Sequence, residues 1–70
     1  MDRTPVNSSN IASIGYDPET ATLEIEFLKD GGVYQYFDVP AQIHEELMGA
    51  ASHGSYLAHR IKGTYQYARL

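Results

Sequence analysis

The chain has 70 residues, no cysteine and a formal charge of −4. The length fits a single domain with a modest core, because a chain this short buries only about 60% of the surface that it exposes when unfolded. The absence of cysteine excludes disulfides and thiolate zinc sites, and the acidic balance disfavours a general nucleic-acid binder. We see no apolar leader and no run near the about 18 apolar residues of a membrane span, so we expect a cytoplasmic protein without a membrane partner.

Positions 1–10 are mostly polar, and we expect them to form a mobile arm that can settle onto a sheet, ahead of a single domain at 11–70. Alternating apolar side chains then predict strands over 11–16, 21–28 and 33–39. Short turns rich in proline, aspartate and glycine separate the three segments. This arrangement predicts a three-stranded antiparallel β-meander.

The alternation also divides the side chains of each strand between two faces. It is cleanest in the second strand, whose predicted core face carries Leu23, Ile25 and Phe27 and whose other face carries acidic residues that we expect to meet water. In the first strand, strict alternation places Ile14 and Ile11 on opposite faces. The core face of the meander therefore needs a cover from the second half of the chain.

Two helices are predicted to supply that cover. Pro40 suits the first turn of a helix, and Ile43 and Leu47 then recur at helical spacing. Ser52 can cap a second helix, which Gly63 ends. The last seven residues are extended and leave room for a short edge strand. We therefore predict an α+β domain in which the meander is followed by two helices packed on the sheet.

The chain contains no complete catalytic motif of the kinds that its residues suggest. The segment 44–48 begins like the helix of a zinc protease, but Met48 stands where the second histidine is required. His53 and His59 are six residues apart and do not share a helical face. The chain also has no nucleophile elbow and no glycine-rich phosphate loop. We predict a protein that is not an enzyme and that has no cofactor and no metal.

The tripeptide Tyr-Gln-Tyr occurs twice, at 34–36 and at 65–67. Because strand side chains alternate, Tyr34 and Tyr36 share one face. They are either core residues with hydroxyls at the edge, or a platform on which unpaired bases stack. The sequence does not set the strand register, so both interpretations stay open.

The basic residues are distributed unevenly. All nine acidic residues lie within 1–51, whereas the last 19 positions carry three of the five basic residues and no acid. A solvated basic face is one interpretation; phosphate contact is the other, helped by Gly54 near the start of the second helix, where free N–H groups attract anions. The hypothesis of nucleic-acid binding through stacking and phosphate contact rests on Tyr34, Tyr36, Gly54, Tyr56, His59, Arg60, Lys62, Tyr65, Tyr67 and Arg69.

The order of several short motifs carries a family resemblance. They include Ile14-Gly15-Tyr16-Asp17, Tyr34-x-Tyr36-x-x-Val39-Pro40 and Ser52-x-Gly54-x-Tyr56. Over about residues 6–67 the chain resembles the KTSC domain, which is found at the C-terminus of some lysyl-tRNA synthetases and as a small free-standing bacterial protein. The resemblance implies a compact binding module and suggests RNA as its ligand, by analogy only.

Two function classes follow. The leading hypothesis is a small non-catalytic module that binds RNA or another single-stranded nucleic acid. The alternative is a protein-interaction or homodimerisation module, whose contact would be the tyrosine pair of 34–36 or an unpaired strand edge.

Overall fold

The computed structural model describes residues 1–70 and contains one five-stranded sheet and two helices. The strands lie in chain order and every neighbouring pair is antiparallel, while the helices are inserted between the fourth and fifth strands and cover one face. The predicted α+β class is confirmed. Neither helix combines the length and the apolar character that crossing a membrane requires. The elements are β1 (Arg3–Pro5), β2 (Ile11–Asp17), β3 (Thr22–Phe27), β4 (Val33–Tyr36), α1 (Ala41–Gly49), α2 (His53–Tyr56) with a π-helical continuation (Leu57–Ile61), and β5 (Tyr67–Arg69).

The sheet has two more strands than the predicted meander, which corresponds to β2, β3 and β4. The C-terminal edge strand for which the sequence left room is β5. The arm expected at residues 1–10 contributes β1, in which Thr4 lies opposite Ile14. Arg3 fastens this strand, because its Nε donates to Ser13 Oγ at 3.1 Å and its guanidinium pairs with the carboxylate of Glu24.

A β-bulge corrects the predicted faces of the first long strand. The pairing of β2 with β3 shifts between Ile11 and Ser13, so that Ala12 is an extra residue in β2. A bulge of one residue reverses the alternation beyond it. Ile11 and Ile14 therefore both reach the core, at 0% and 1% exposure, rather than opposite faces of the sheet.

The helices close the core through a few fully buried side chains, among which are Leu47, Leu57 and Ile61. The predicted cap of α2 is present, since Ser52 Oγ accepts a hydrogen bond from the backbone N–H of Ser55. Beyond the helix, the backbone takes a positive φ of 81° at Gly63, which a residue with a side chain would adopt only with strain. The chain can therefore turn sharply and enter β5.

Candidate nucleic-acid interface

The two Tyr-Gln-Tyr tripeptides meet in the sheet. Strands β4 and β5 pair so that Tyr36 lies opposite Tyr67 and Tyr34 lies opposite Arg69. Backbone hydrogen bonds from Phe37 to the carbonyl of Gln66 and from Leu70 to that of Val33 bracket this pairing. The repeat in the sequence thus brings tyrosines of both copies to one edge of the sheet.

The register also decides which tyrosines belong to the core. Tyr36 lies opposite Leu23, and Tyr34 lies opposite Ile25, so both rings point to the face that the helices cover. Tyr36 is only 3% exposed, and burial, together with the neighbouring phenols, raises the pKa of its hydroxyl. Tyr34 is half-buried, whereas Tyr67 is 61% exposed. The exposure of the rings therefore increases from Tyr36 in the core to Tyr67 at the β5 edge.

An open groove of about 500 Å³ lies above these rings. The ring of Tyr67 stands 5.8 Å from that of Tyr34 and 5.7 Å from that of Tyr36, and Phe27 meets Tyr34 edge-on at 5.5 Å. These separations are those of aromatic rings in mutual contact, and such contacts stabilise the arrangement of the rings. The groove is lined by Asn10, Phe27, Lys29, Asp30, Tyr34, Tyr36, Lys62, Gly63 and Tyr67.

Cationic side chains stand at the rim of the aromatic surface. Lys62 Nζ lies 5.2 Å from the ring centre of Phe27, and the guanidinium carbon of Arg69 lies 5.5 Å from that of Tyr34. Both separations fall within the range of cation–π attraction. The guanidinium of Arg69 also approaches Asp30, with 3.7 Å between Nη2 and Oδ2. Exposed positive charge therefore sits within reach of any group that stacks on the rings.

Three of the predicted site residues form a separate cluster on the helices. The hydroxyl of Tyr56 donates to Glu46 Oε1 at 2.7 Å; this hydrogen bond raises the pKa of Tyr56 and lowers that of Glu46. The guanidinium of Arg60 lies 5.8 Å from the ring centre of Tyr56. His59 Nδ1 lies 2.8 Å from the carbonyl oxygen of Ser55, one turn earlier. None of the three lines the groove.

Two further predicted residues also lie outside the groove. Gly54 faces the side chain of Asn10 across a polar cleft, where a Cβ on the glycine would come within 3.4 Å of that side chain. Tyr65 is half-buried against the core in the connection before β5. The structure thus gathers Tyr34, Tyr36, Lys62, Tyr67 and Arg69 and leaves the other five elsewhere.

Sequence reasoning missed five groove residues: Asn10, Phe27, Lys29, Asp30 and Gly63. Phe27 was assigned to the core by its alternation, and it does pack against the core, but it is only half-buried at the last position of β3. Lys29 and Asp30 sit in the turn between β3 and β4, whose position beside the aromatic rings depends on the pairing of those strands. The positive charge of Lys29 was the one feature of the sequence that could have indicated that this turn belongs to the site.

The face of the sheet away from the helices differs from expectation at one point. Glu24 was expected to meet water, but it is 5% exposed because Arg3 and Gln35 cover it. The hydrogen bond from Gln35 Nε2, at 2.9 Å, and the guanidinium hold the pKa of this carboxyl below its usual range. Ser13 completes the network by donating to Glu26 at 2.8 Å. This face is a satisfied polar network that holds β1, and no set of three or more His, Asp or Glu side chains in the fold is arranged to hold a metal ion.

Comparison with known proteins agrees with the fold. A family model described as the KTSC domain matches residues 7–65. The crystal structure of a KTSC domain protein from Yersinia pestis superposes with a TM-score of 0.95 at 43% sequence identity, covering 99% of this chain and 96% of that one. An uncharacterised protein from Stutzerimonas stutzeri is 38% identical over 71 residues, which cover 100% of this chain and 99% of the relative.

A second group of relatives consists of much longer enzymes. The lysine–tRNA ligase of a Nostoc species is 44% identical over 62 residues, which are 89% of this chain but 11% of the ligase. The chain therefore spans about a ninth of the length of that relative. The family model and the relatives of matching length indicate no catalytic family.

Proposed function

The chain belongs to the KTSC domain family, a domain that also occurs within some lysine–tRNA ligases, and we propose that it binds single-stranded nucleic acid in the groove at the β5 edge. In this proposal a base stacks on the exposed ring of Tyr67 and the half-buried ring of Tyr34. Lys62, Lys29 and Arg69 contact the phosphates on either side. The module is non-catalytic and positions a strand without changing it.

One observation carries the proposal: exposed and half-exposed rings line an open groove that has cations at its rim. A base that stacks on an aromatic side chain gains about 1–3 kcal/mol, and stacking tolerates any base. Phosphate contacts from lysine and arginine add affinity that falls as salt rises. With so few cations and a net charge of −4, we expect dissociation constants of about 10⁻⁴ to 10⁻⁶ M.

The relatives support a nucleic-acid ligand. The ligases that contain this domain are named for tRNA, so a module that holds single-stranded RNA would act beside such a substrate. A tRNA offers unpaired bases in its loops and at its ends, which are the parts of RNA that proteins read by stacking.

The test is a titration of the ¹⁵N-labelled protein with a short single-stranded RNA and with a tRNA, followed by ¹⁵N–¹H correlation spectra at low and moderate salt. We expect shifts at 27–36 and 62–69 that weaken as salt rises, and their loss in Tyr67→Ala. Leu28→Ala is the matched control, because Leu28 is 54% exposed and does not line the groove. Shifts confined to 54–60 would move the site to the helical cluster, and an unchanged spectrum at both salts would remove the proposal.

The alternative, a protein-interaction or homodimerisation module, is favoured by the outer edge of β5. Antiparallel alternation leaves the backbone groups of Tyr67 and Arg69 pointing away from β4, where no strand covers them. The opposite edge of the sheet is blunted, because Pro5 has no N–H to offer at the corresponding outward position of β1. A molecular mass that rises with protein concentration in sedimentation would support pairing through β5. A monomeric mass at all concentrations would contradict the homodimer.

A further inference from the structure

A second cleft adjoins the groove. It has a volume of about 350 Å³ and lies between the segment before β2 and the start of α2. Its lining is Asn7, Ser8, Ser9, Asn10, Ala51, Ser52, His53, Gly54 and Ser55. Asn10 also lines the aromatic groove, so the two depressions meet at this residue.

The chemistry of the cleft differs from that of the groove. Its lining is rich in hydroxyl and amide groups and contains no lysine, arginine, aspartate or glutamate. Its one titratable residue, His53, has Nδ1 2.8 Å from the carbonyl oxygen of Leu47. The cleft therefore has no carboxylate, lysine or arginine side chain in its lining and offers hydrogen-bond donors and acceptors side by side.

Some of these polar groups form hydrogen bonds within the fold, and others are exposed and can bind a ligand. The hydroxyl of Ser8 accepts from the backbone N–H groups of Asn10 and the next residue, and that of Ser52 caps α2. The side chains of Asn7, Ser9 and Asn10 are exposed to solvent. A cleft lined by hydroxyls and amides suits a neutral group that carries hydroxyls, whereas a phosphate would gain more beside the cations of the groove.

We propose that this cleft receives the ribose of the nucleotide next to the one stacked in the groove and reads its 2′-hydroxyl, so that the domain selects RNA over DNA. The inference rests on the proposed function, since it needs a strand in the groove. A 2′-hydroxyl both donates and accepts, as do the amide of Asn7 and the hydroxyl of Ser9. It is also the group by which a protein distinguishes RNA from DNA at a given position.

The experiment measures fluorescence anisotropy of labelled six-nucleotide RNA, the same sequence as DNA, and its 2′-O-methyl form. The cleft variant is Asn7→Ala with Ser9→Ala, because neither residue lines the aromatic groove. Tyr67→Ala tests the groove, and Gln42→Ala, an exposed amide on α1, is the matched control. Thermal unfolding confirms that each variant is folded.

We expect the wild-type domain to bind RNA about three- to tenfold more tightly than DNA or 2′-O-methyl RNA. This ratio corresponds to the net contribution of one or two neutral hydrogen bonds. The cleft variant should bind RNA no better than DNA, with its DNA affinity unchanged, and Tyr67→Ala should weaken both. Equal wild-type affinity for RNA and DNA, with both weakened by Tyr67→Ala, would overturn ribose recognition and leave the proposed function intact. Failure to bind either strand would overturn the proposed function and this inference with it.

Discussion

Tyr36 and Tyr67 are cross-strand neighbours with ring centres 5.7 Å apart, yet one is 3% and the other 61% exposed. They occupy the same position in the two copies of one tripeptide. The difference arises because β4 lies between two strands, whereas β5 is the edge of the sheet. One copy thus contributes to the core, and the other presents a ring to solvent.

This contrast predicts different costs for the same substitution. Tyr36→Ala should lower the free energy of unfolding by about 3–5 kcal/mol, since it removes a buried aromatic side chain. Tyr67→Ala should cost about 1 kcal/mol, because it loses only an exposed ring contact. Urea unfolding followed by circular dichroism measures both, and similar losses would contradict the assigned burial.

Arg60 and Lys62, the two basic residues at the C-terminal end of the helices, should contribute differently to nucleic-acid binding. Lys62 stands at the groove, whereas Arg60 lies against Tyr56 on the helices. Lys62→Ala should weaken binding to a single-stranded oligonucleotide and reduce the slope of log K against log salt by about 0.7, the loss of one phosphate contact. Arg60→Ala is the matched control and should leave the slope unchanged. A larger effect from Arg60→Ala would place the ligand on the helical cluster.

His44 should make stability depend on pH. Its ring is stacked on Tyr16, with centres 4.8 Å apart, and burial lowers its pKa in the folded state, although Glu45 offsets part of the shift. The unfolded chain therefore binds the proton more readily than the folded one. As a result, the free energy of unfolding keeps its full value above about pH 6.5 and falls as pH drops below that value. We expect a lower thermal midpoint at pH 5.5 than at pH 7.5 and a smaller difference in His44→Phe.

The control for this prediction is His59→Gln, which changes an exposed histidine in the π-helical continuation of α2. It should keep the pH dependence of the wild-type protein. A pH dependence that survives His44→Phe unchanged would show that another group is responsible.

The ion pair between Arg3 and Glu24 should hold β1 on the sheet. Arg3→Ala removes the partner of a carboxylate that is 5% exposed, so we expect a loss of about 1–3 kcal/mol in the free energy of unfolding. Hydrogen exchange at the amide of Val6, which is bonded to the carbonyl of Ala12, should quicken before that of β3. Glu19→Ala, which removes an exposed carboxylate, should change neither quantity. Unaltered exchange at Val6 in Arg3→Ala would show that the backbone pairing suffices.

The local features of the fold could be read directly from the chain. The alternation at Leu23 and Ile25 predicted a strand, the hydroxyl of Ser52 predicted a cap, and Gly63 predicted a helix end. Each depends on residues within a few positions of one another, where spacing and side-chain chemistry act directly on the backbone.

The candidate site depended on contacts between residues far apart in the sequence. The pairing of Tyr36 with Tyr67, the bulge at Ala12 and the approach of Lys62 to Phe27 all follow from how the strands and helices pack. Strand register is set by the sum of many cross-strand contacts, and a shift of one residue exchanges the two faces. The sequence by itself therefore determined the three central strands, the two helices that follow them, and the supply of tyrosines and cations. Only the tertiary structure decided which tyrosine is buried and which cations stand beside the exposed one, because those positions are fixed by packing between distant segments.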